Sequence, residues 1–264
     1  MADAPSPQFQ IDRILNETTV EHVELHDELI STNNLAMELA GRSDLPRPIL
    51  VLAKTQTGGR GRGKNQWWST GGSLTFSLLT NLGNLPGDRI PQLSLTVGLA
   101  ICEAIESVAP LADVALKWPN DVYLAGKKVA GVLIELPTNP PPQAIIGIGL
   151  NVNNSFTTAP EELQQTATSL CDAVELELDI NEVLIACLQQ LARHIDLFRQ
   201  PTASLADQWR AYHLLQGMEI ELEVYSKTVT GTCVGIDDDG ALLLETEEGT
   251  SRFLGGVIQR FESR

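Results

Sequence analysis

The sequence predicts an α+β fold in which a larger domain of strands and helices is followed by a small all-β domain. Three observations carry this. Short apolar runs rich in strand formers recur at residues 49–52, 73–79, 122–135 and 143–151. Two longer stretches, residues 90–108 and 180–198, carry apolar side chains at helical spacing. The composition then shifts at Gly217, after which strand-like alternation and Asp-Gly or Glu-Gly turns imply a β-barrel of about 45 residues. The predicted domains are residues 1–212 and 213–264.

A chain of 264 residues can bury one sizeable core with a small companion. Its 43% hydrophobic content is that of a soluble globular protein. No stretch approaches the roughly 20 apolar residues that cross a membrane, and M-A-D-A-P-S-P lacks the basic and apolar regions of a signal peptide. The expected location is the cytoplasm. Cys102, Cys171, Cys187 and Cys233 are widely separated without C-x-x-C spacing, so they read as buried reduced thiols rather than a zinc site or disulfide framework.

Taken in order, residues 1–8 form a loose terminus, leaving no room for a separate helix-turn-helix domain. Strand-like alternation starts at Val20. His22 and His26 fall four apart, but with no helix signal and no third ligand they read as surface or hydrogen-bonded histidines. Ser31-Thr32-Asn33-Asn34 precedes L-A-M-E-L-A and then Gly41, a helix with a choice of polar N-caps and a glycine stop. Capping is the favoured role for those polar residues, although the same hydroxyls and exposed N–H groups could bind the polar end of a small ligand. The helix at residues 90–108 buries Leu93, Val97, Ala100, Ile101, Ala104 and Val108.

The A-G-K tip at residues 125–127, between two β-rich runs, signals a hairpin. Simple alternation on its returning strand places Lys128, Ala130 and Val132 on one face, and Val129, Gly131 and Leu133 on the other. In the strand at residues 143–151, Gly147, Gly149 and Asn151 allow close approach. Helical periodicity spans residues 167–198, and a short helix covers residues 203–212.

Chemistry concentrates in K-T-Q-T-G-G-R-G-R-G-K-N-Q-W-W at residues 54–68. Glycines there let backbone N–H groups approach a ligand, Arg60, Arg62 and Lys64 bring charge, and Trp67 and Trp68 offer flat apolar faces. The chain has 34 acidic and 18 basic residues and a net charge of -16. No basic residue occurs in residues 14–41 or 129–192, whereas seven crowd into residues 54–64 and 117–128. Scarce cations gathered in an acidic chain point to a small phosphate-containing ligand. Duplex nucleic acid, which needs many distributed phosphate contacts, is excluded as a partner.

With these segments in order the chain resembles the biotin-protein ligase family, the biotin-[acetyl-CoA-carboxylase] ligases, from about Ser31 to Phe261. The motifs are S-T-N at 31–33, Q-T-G-G-R-G-R-G at 56–63, K-W-P-N-D at 117–121, K-V-A-G-V-L-I-E at 128–135 and G-I-G-L-N-V-N at 147–153. The resemblance implies a mixed β-sheet catalytic domain packed against helices, with an SH3-like C-terminal barrel. It implies that biotin and ATP form biotinyl-5'-AMP and pyrophosphate, and that biotin then passes to one lysine of a biotin carboxyl carrier protein.

By the same resemblance, Arg62 and Lys128 hold the carboxylate and phosphate oxygens, whose mutual repulsion needs cations to offset it. Gly59, Arg60 and Gly61 line the site through their backbone, with Gln56 beside them. Ser31, Thr32 and Asn33 meet the ureido end of biotin, and Gly131 and Leu133 wall its ring. Trp67 stacks the adenine, Lys117, Asn120 and Asn151 lie at the nucleotide, and Asp121 sits near the phosphates as a candidate Mg²⁺ ligand. The glycine-arginine loop orders over the adenylate. No membrane partner is implied, a homodimer is left open, and DNA binding is not carried over. A lipoate or octanoate transferase and a non-catalytic biotin- or nucleotide-binding module are the competing readings.

Overall fold

The computed structural model describes residues 8–83, 89–138, 142–157, 159–199 and 204–262. The expected loose terminus therefore falls largely outside the described residues. The first domain is built on a seven-stranded sheet of β1 (His22–Leu29), β2 (Ile49–Gln56), β3 (Ser73–Asn81), β4 (Val114–Lys117), β5 (Asp121–Leu124), β6 (Lys127–Glu135) and β7 (Gln143–Asn151), in the order β1-β2-β3-β7-β6-β5-β4. Only β1 and β2 pair in parallel, so the sheet is mixed, as the resemblance implied.

Alternation along the central strands sorts their side chains onto two faces. Leu50 and Leu52, Leu74, Phe76 and Leu78, and Ile146, Ile148 and Leu150 point into the main core. There they meet α3 (Ile90–Val108) and α6 (Ile180–Arg199), whose apolar stripes pack against each other and the sheet. Val183, Leu184, Cys187, Leu188, Leu191, Ile195 and Phe198 are all buried there, as their spacing predicts. The opposite face carries α2 (Thr32–Leu39), seated on Ile49, Val51, Leu79 and Ile145 in a smaller apolar cluster.

Two helices were not foreseen, α1 (Ile11–Glu17) and α4 (Glu161–Thr166). Both are under two turns and show at most one buried residue, so no periodic stripe marks them. The predicted helical stretch from Ala167 is two pieces. A short α5 (Leu170–Val174) ends at Glu175, whose φ of 55° is left-handed, and α6 starts afresh. Cys102, Cys187 and Cys233 are buried free thiols, while Cys171 is only partly buried. His22 and His26 lie on one face of β1 and flank Glu24, at 2.9 and 3.6 Å.

After α7 (Leu205–Arg210) the chain runs back along the sheet edge. Leu116 donates to the carbonyl of Tyr212 and accepts from Leu214, so the connecting segment adds a bridge beside β4. The C-terminal domain is a five-stranded antiparallel sheet of β8 (Glu219–Val224), β9 (Lys227–Ile236), β10 (Leu242–Thr246), β11 (Gly249–Phe253) and β12 (Val257–Glu262). Its order, β11-β10-β9-β8-β12, leaves β11 and β12 at opposite ends of the hydrogen-bonded sequence. Ile220, Leu222, Cys233, Ile236, Leu242 and Leu244 belong to the same apolar cluster as the first domain's core. The loop before β10 is fastened to that domain, since Trp118 Nε1 donates to Gly240 O at 3.0 Å and Ser204 Oγ donates to Asp238 at 2.6 Å.

Candidate active site

The face that carries α2 continues into a floor of small side chains. Thr75 of β3 sits opposite Gly149 of β7, itself opposite Gly131 of β6, and the next row is Ser77, Gly147 and Leu133. Two side chains use the space these glycines leave. A Cβ on Gly147 would run into the Asn33 amide, and one on Gly149 into the indole of Trp67. The floor opens into a pocket of about 650 Å³ between the first sheet and the C-terminal sheet. Such a volume suits a small ligand or cofactor.

At one end of the pocket stands the start of α2. Ser31 is its N-cap residue, in extended backbone, but its side chain makes no capping hydrogen bond, contrary to the favoured expectation. The cap comes instead from β2, where Gln56 Oε1 accepts from Thr32 N at 2.7 Å and lies 3.2 Å from Thr32 Oγ1. Ser77 Oγ lies 2.7 Å from Thr32 Oγ1 and 2.6 Å from Asn33 Oδ1. Asn33 Nδ2 donates to Glu135 at 2.7 Å. Ser31, Thr32 and Asn33 are therefore buried, oriented polar groups facing a cavity, with Ser31 spared from capping.

The glycine-arginine loop folds back on itself. Trp67 N donates to Gly59 O at 2.9 Å and Gly61 N to Asn65 O at 2.8 Å, with Gly63 at a φ of 67° in the turn. Arg60 turns away from a ligand role for its side chain: it forms a two-pronged pair with Glu135, at 3.0 and 2.7 Å, and donates to Asn34. Arg62 reaches toward the C-terminal domain, where Nη1 donates to Gly256 O at 3.3 Å. Partial loss of solvation lowers its pKa, opposed by the Asp121 carboxylate. Trp67 lines the pocket, its Nε1 buried without a partner among the described residues, whereas Trp68 packs against Phe156.

The cations converge because of a defect in β6. The pairing with β5 shifts between Val122 and Tyr123, so that Val122 faces Ala130 but Tyr123 faces Lys128, and Val129 is the extra residue of a bulge. One extra residue inverts the alternation before it. Lys128 therefore shares the face of Gly131, not of Ala130 and Val132 as simple alternation predicts, and its Nζ lies 2.6 Å from Asp121 Oδ1.

Lys117 stands nearby, its pKa lowered mainly by burial, raised by Asp121 and lowered by Lys128. Arg62, Lys117 and Lys128 thus surround a single carboxylate. Two positive charges remain unbalanced within that group, which suits an anionic ligand.

Of the remaining sequence-predicted residues, Gly131 and Leu133 line the pocket, as does Asn120, whose Nδ2 donates to Val132 O at 2.7 Å. Gly59 is not among the lining residues but packs under Trp67. Asn151 is not in the lining either: it is buried, donates to Thr168 O at 3.1 Å and accepts from Asn154 at 3.1 Å. Asp121 is joined by no further ligand cluster, for no group of three or more His, Cys, Asp or Glu suited to a metal occurs among the described residues.

Sequence reasoning missed Ser77 and Glu135, which hold Thr32 and Asn33 from outside the pocket lining, and the rim formed by the C-terminal domain, including Tyr225, Gly256 and Val257. The polar parity of Ser73, Thr75 and Ser77 within an apolar run was a usable signal for Ser77. The rim gives none, because it arises from how two domains dock.

Residues 27–153 match the model of the Biotin/lipoate A/B protein ligase family, and residues 217–260 that of the Biotin protein ligase C terminal domain. The chain is 36% identical over 223 residues to the Biotin--[acetyl-CoA-carboxylase] ligase of Mycobacterium tuberculosis, covering 81% of this chain and 80% of that protein. The chain belongs to the biotin protein ligase family. It is also 34% identical over 248 residues to the Bifunctional ligase/repressor BirA of Bacillus subtilis, with 92% of this chain and 75% of that protein covered. Its fold matches the biotin protein ligase from Aquifex aeolicus in complex with biotin and ATP at a TM-score of 0.79 and 32% identity, covering 92% of this chain and 100% of that one. The two family matches fall one on the first sheet and its neighbouring helices and one on the C-terminal sheet. No helix among the described residues is long and apolar enough to cross a membrane.

Proposed function

We propose that this pocket joins biotin to ATP and then delivers biotin to a protein lysine. The observation that carries the reading is the cluster of Arg62, Lys117 and Lys128 around Asp121, set beside a glycine floor with oriented polar groups at its far end. The bicyclic ring of biotin lies on Gly131 and Gly147, its ureido group toward Ser31, Thr32 and Asn33, and its carboxylate toward the cations. The carboxylate oxygen attacks the α-phosphorus of ATP and pyrophosphate leaves. Arg62 and Lys128 offset the repulsion between the two anions. A lysine amine of the carrier then attacks the acyl carbon of biotinyl-5'-AMP, AMP departs, and the amine loses a proton.

Trp67 supplies a flat face for the adenine. Asn151, held by Thr168 and Asn154, supports the nucleotide end of β7 from behind. Magnesium enters as part of the nucleotide substrate, since ATP is used as its metal complex. Asp121, paired with Lys128 at 2.6 Å, would be free to meet it once Lys128 turns to phosphate. The lipoate reading is disfavoured by the match of residues 217–260 to a biotin-ligase domain, and by the buried polar triad of α2, which an aliphatic chain could not satisfy. Purified protein with biotin, MgATP and the apo biotin carboxyl carrier protein of an acetyl-CoA carboxylase tests the transfer. One biotin per carrier, lost when the acceptor lysine is changed to arginine, is the expected mass-spectrometric result. An unmodified carrier alongside ATP consumption would refute the transfer step.

A further inference from the structure

The Lys117 ammonium is held by aromatic faces from both domains. It stands 4.8 Å from the ring centroid of Phe261 in β12 and 5.7 Å from that of Tyr123 in β5. Those rings meet edge to face, with centroids 6.5 Å apart and planes at 81°. Both separations lie within the roughly 6 Å over which an aromatic face attracts a cation. The ion pairs nearby go to other groups, since Asp121 is bonded to Lys128. The same C-terminal segment also touches a second cation of the cluster, through the bond from Arg62 to Gly256 O.

We infer that Phe261 is a positioning residue for the nucleotide: its ring holds Lys117 over the pocket and so makes the last strand of the C-terminal sheet part of the anion site. This rests on the reading that Lys117 meets ATP. An ammonium with a four-carbon stem has many rotamers, and in water its seat is set by whatever partners it finds. A carboxylate partner would cancel its charge. An aromatic face fixes it while leaving the charge available to phosphate, and it also lowers competing hydration. A connection of this kind gives the edge strand of a small sheet, far away in sequence, a role at the mouth of the site.

A ring that merely fills the gap between domains would tolerate any apolar replacement of similar bulk. A ring that seats a cation would not. Phe261 is only partly buried, so a tyrosine hydroxyl there can reach water. In biotin-dependent pyrophosphate exchange, Phe261→Leu is expected to raise the KM for ATP about fivefold, within the range set by cation–π energies. The KM for biotin should stay within about twofold, and Phe261→Tyr should restore the KM for ATP to near the starting value.

In a Lys117→Met background Phe261→Leu should add nothing further, because the two act as a pair. Labelling of Lys117 by an amine-reactive reagent, mapped by mass spectrometry, reads the seat without reference to activity. Leucine should speed it and tyrosine should not. Equal effects of leucine and tyrosine, parallel shifts in both KM values, or an undiminished effect in the Lys117→Met background would overturn the inference. An unmutated protein that shows no biotin-dependent exchange would instead bring down the functional reading, and the labelling arm would still decide the seat.

Discussion

Single side chains at this site are held by partners that leave one function free. Arg62 spends one N–H on a backbone carbonyl and keeps its charge, so Arg62→Gly removes a cation and a tie to the C-terminal domain together. The adenylate is then expected to escape and acylate bystander lysines. Western detection of biotin on an added unrelated protein checks this, and labelling confined to the carrier would contradict it. Gly147 is small because Asn33 occupies the space of a Cβ. Gly147→Ala should push Asn33 from Ser77 and Glu135 and raise the KM for biotin about tenfold, equivalent to about 1.4 kcal/mol, with less effect on ATP. At this scale the loop at residues 54–68 stood out because scarce cations gather there in an acidic chain, which glycine and arginine in a loop would not show by themselves. Glu135 did not, because its partners Arg60 and Asn33 lie far away in sequence.

The elements themselves follow from periodicity wherever a face is buried. The strands at residues 73–81 and 143–151 and the helix at residues 90–108 are readable because each sets apolar side chains at a regular spacing against a core. Elements too short to repeat a pattern, such as α1 and α4, are not readable in this way. The face of Lys128 was misread for a different reason. A bulge adds one residue to one strand, and nothing in K-V-A-G-V marks Val129 as the extra one. The cap of α2 was likewise non-local, coming from Gln56 across the sheet rather than from Ser31. Gln56→Ala should leave Thr32 N–H without its acceptor and cost about 1–2 kcal/mol of stability in urea unfolding, with biotin affinity falling as well. A neutral result would mean that the cap is not what orders the polar triad.

Across the whole molecule, the C-terminal sheet shares an apolar core and a pocket with the first sheet, a docking that composition does not reveal. The segment joining them contains His213, packed near Cys233 Sγ at 3.7 Å and edge-on to Trp209. Burial pushes its pKa down from 6.5 to about 4. The unfolded chain thus takes up a proton near pH 6.5 while the folded chain resists until about pH 4, so this group lowers stability progressively as pH falls through that window. His213→Gln should flatten the fall in Tm between those limits, and an unchanged slope would show that other groups set it.

The central claim is that a cation cluster joins biotin to ATP in a pocket shared by both domains. ATP–pyrophosphate exchange with biotin, lipoate, octanoate or no acid tests it most directly. The expected result is Mg²⁺-dependent exchange with biotin alone, abolished by Lys128→Ala. Exchange supported by lipoate or octanoate, or none with any acid while biotin still binds, would contradict it.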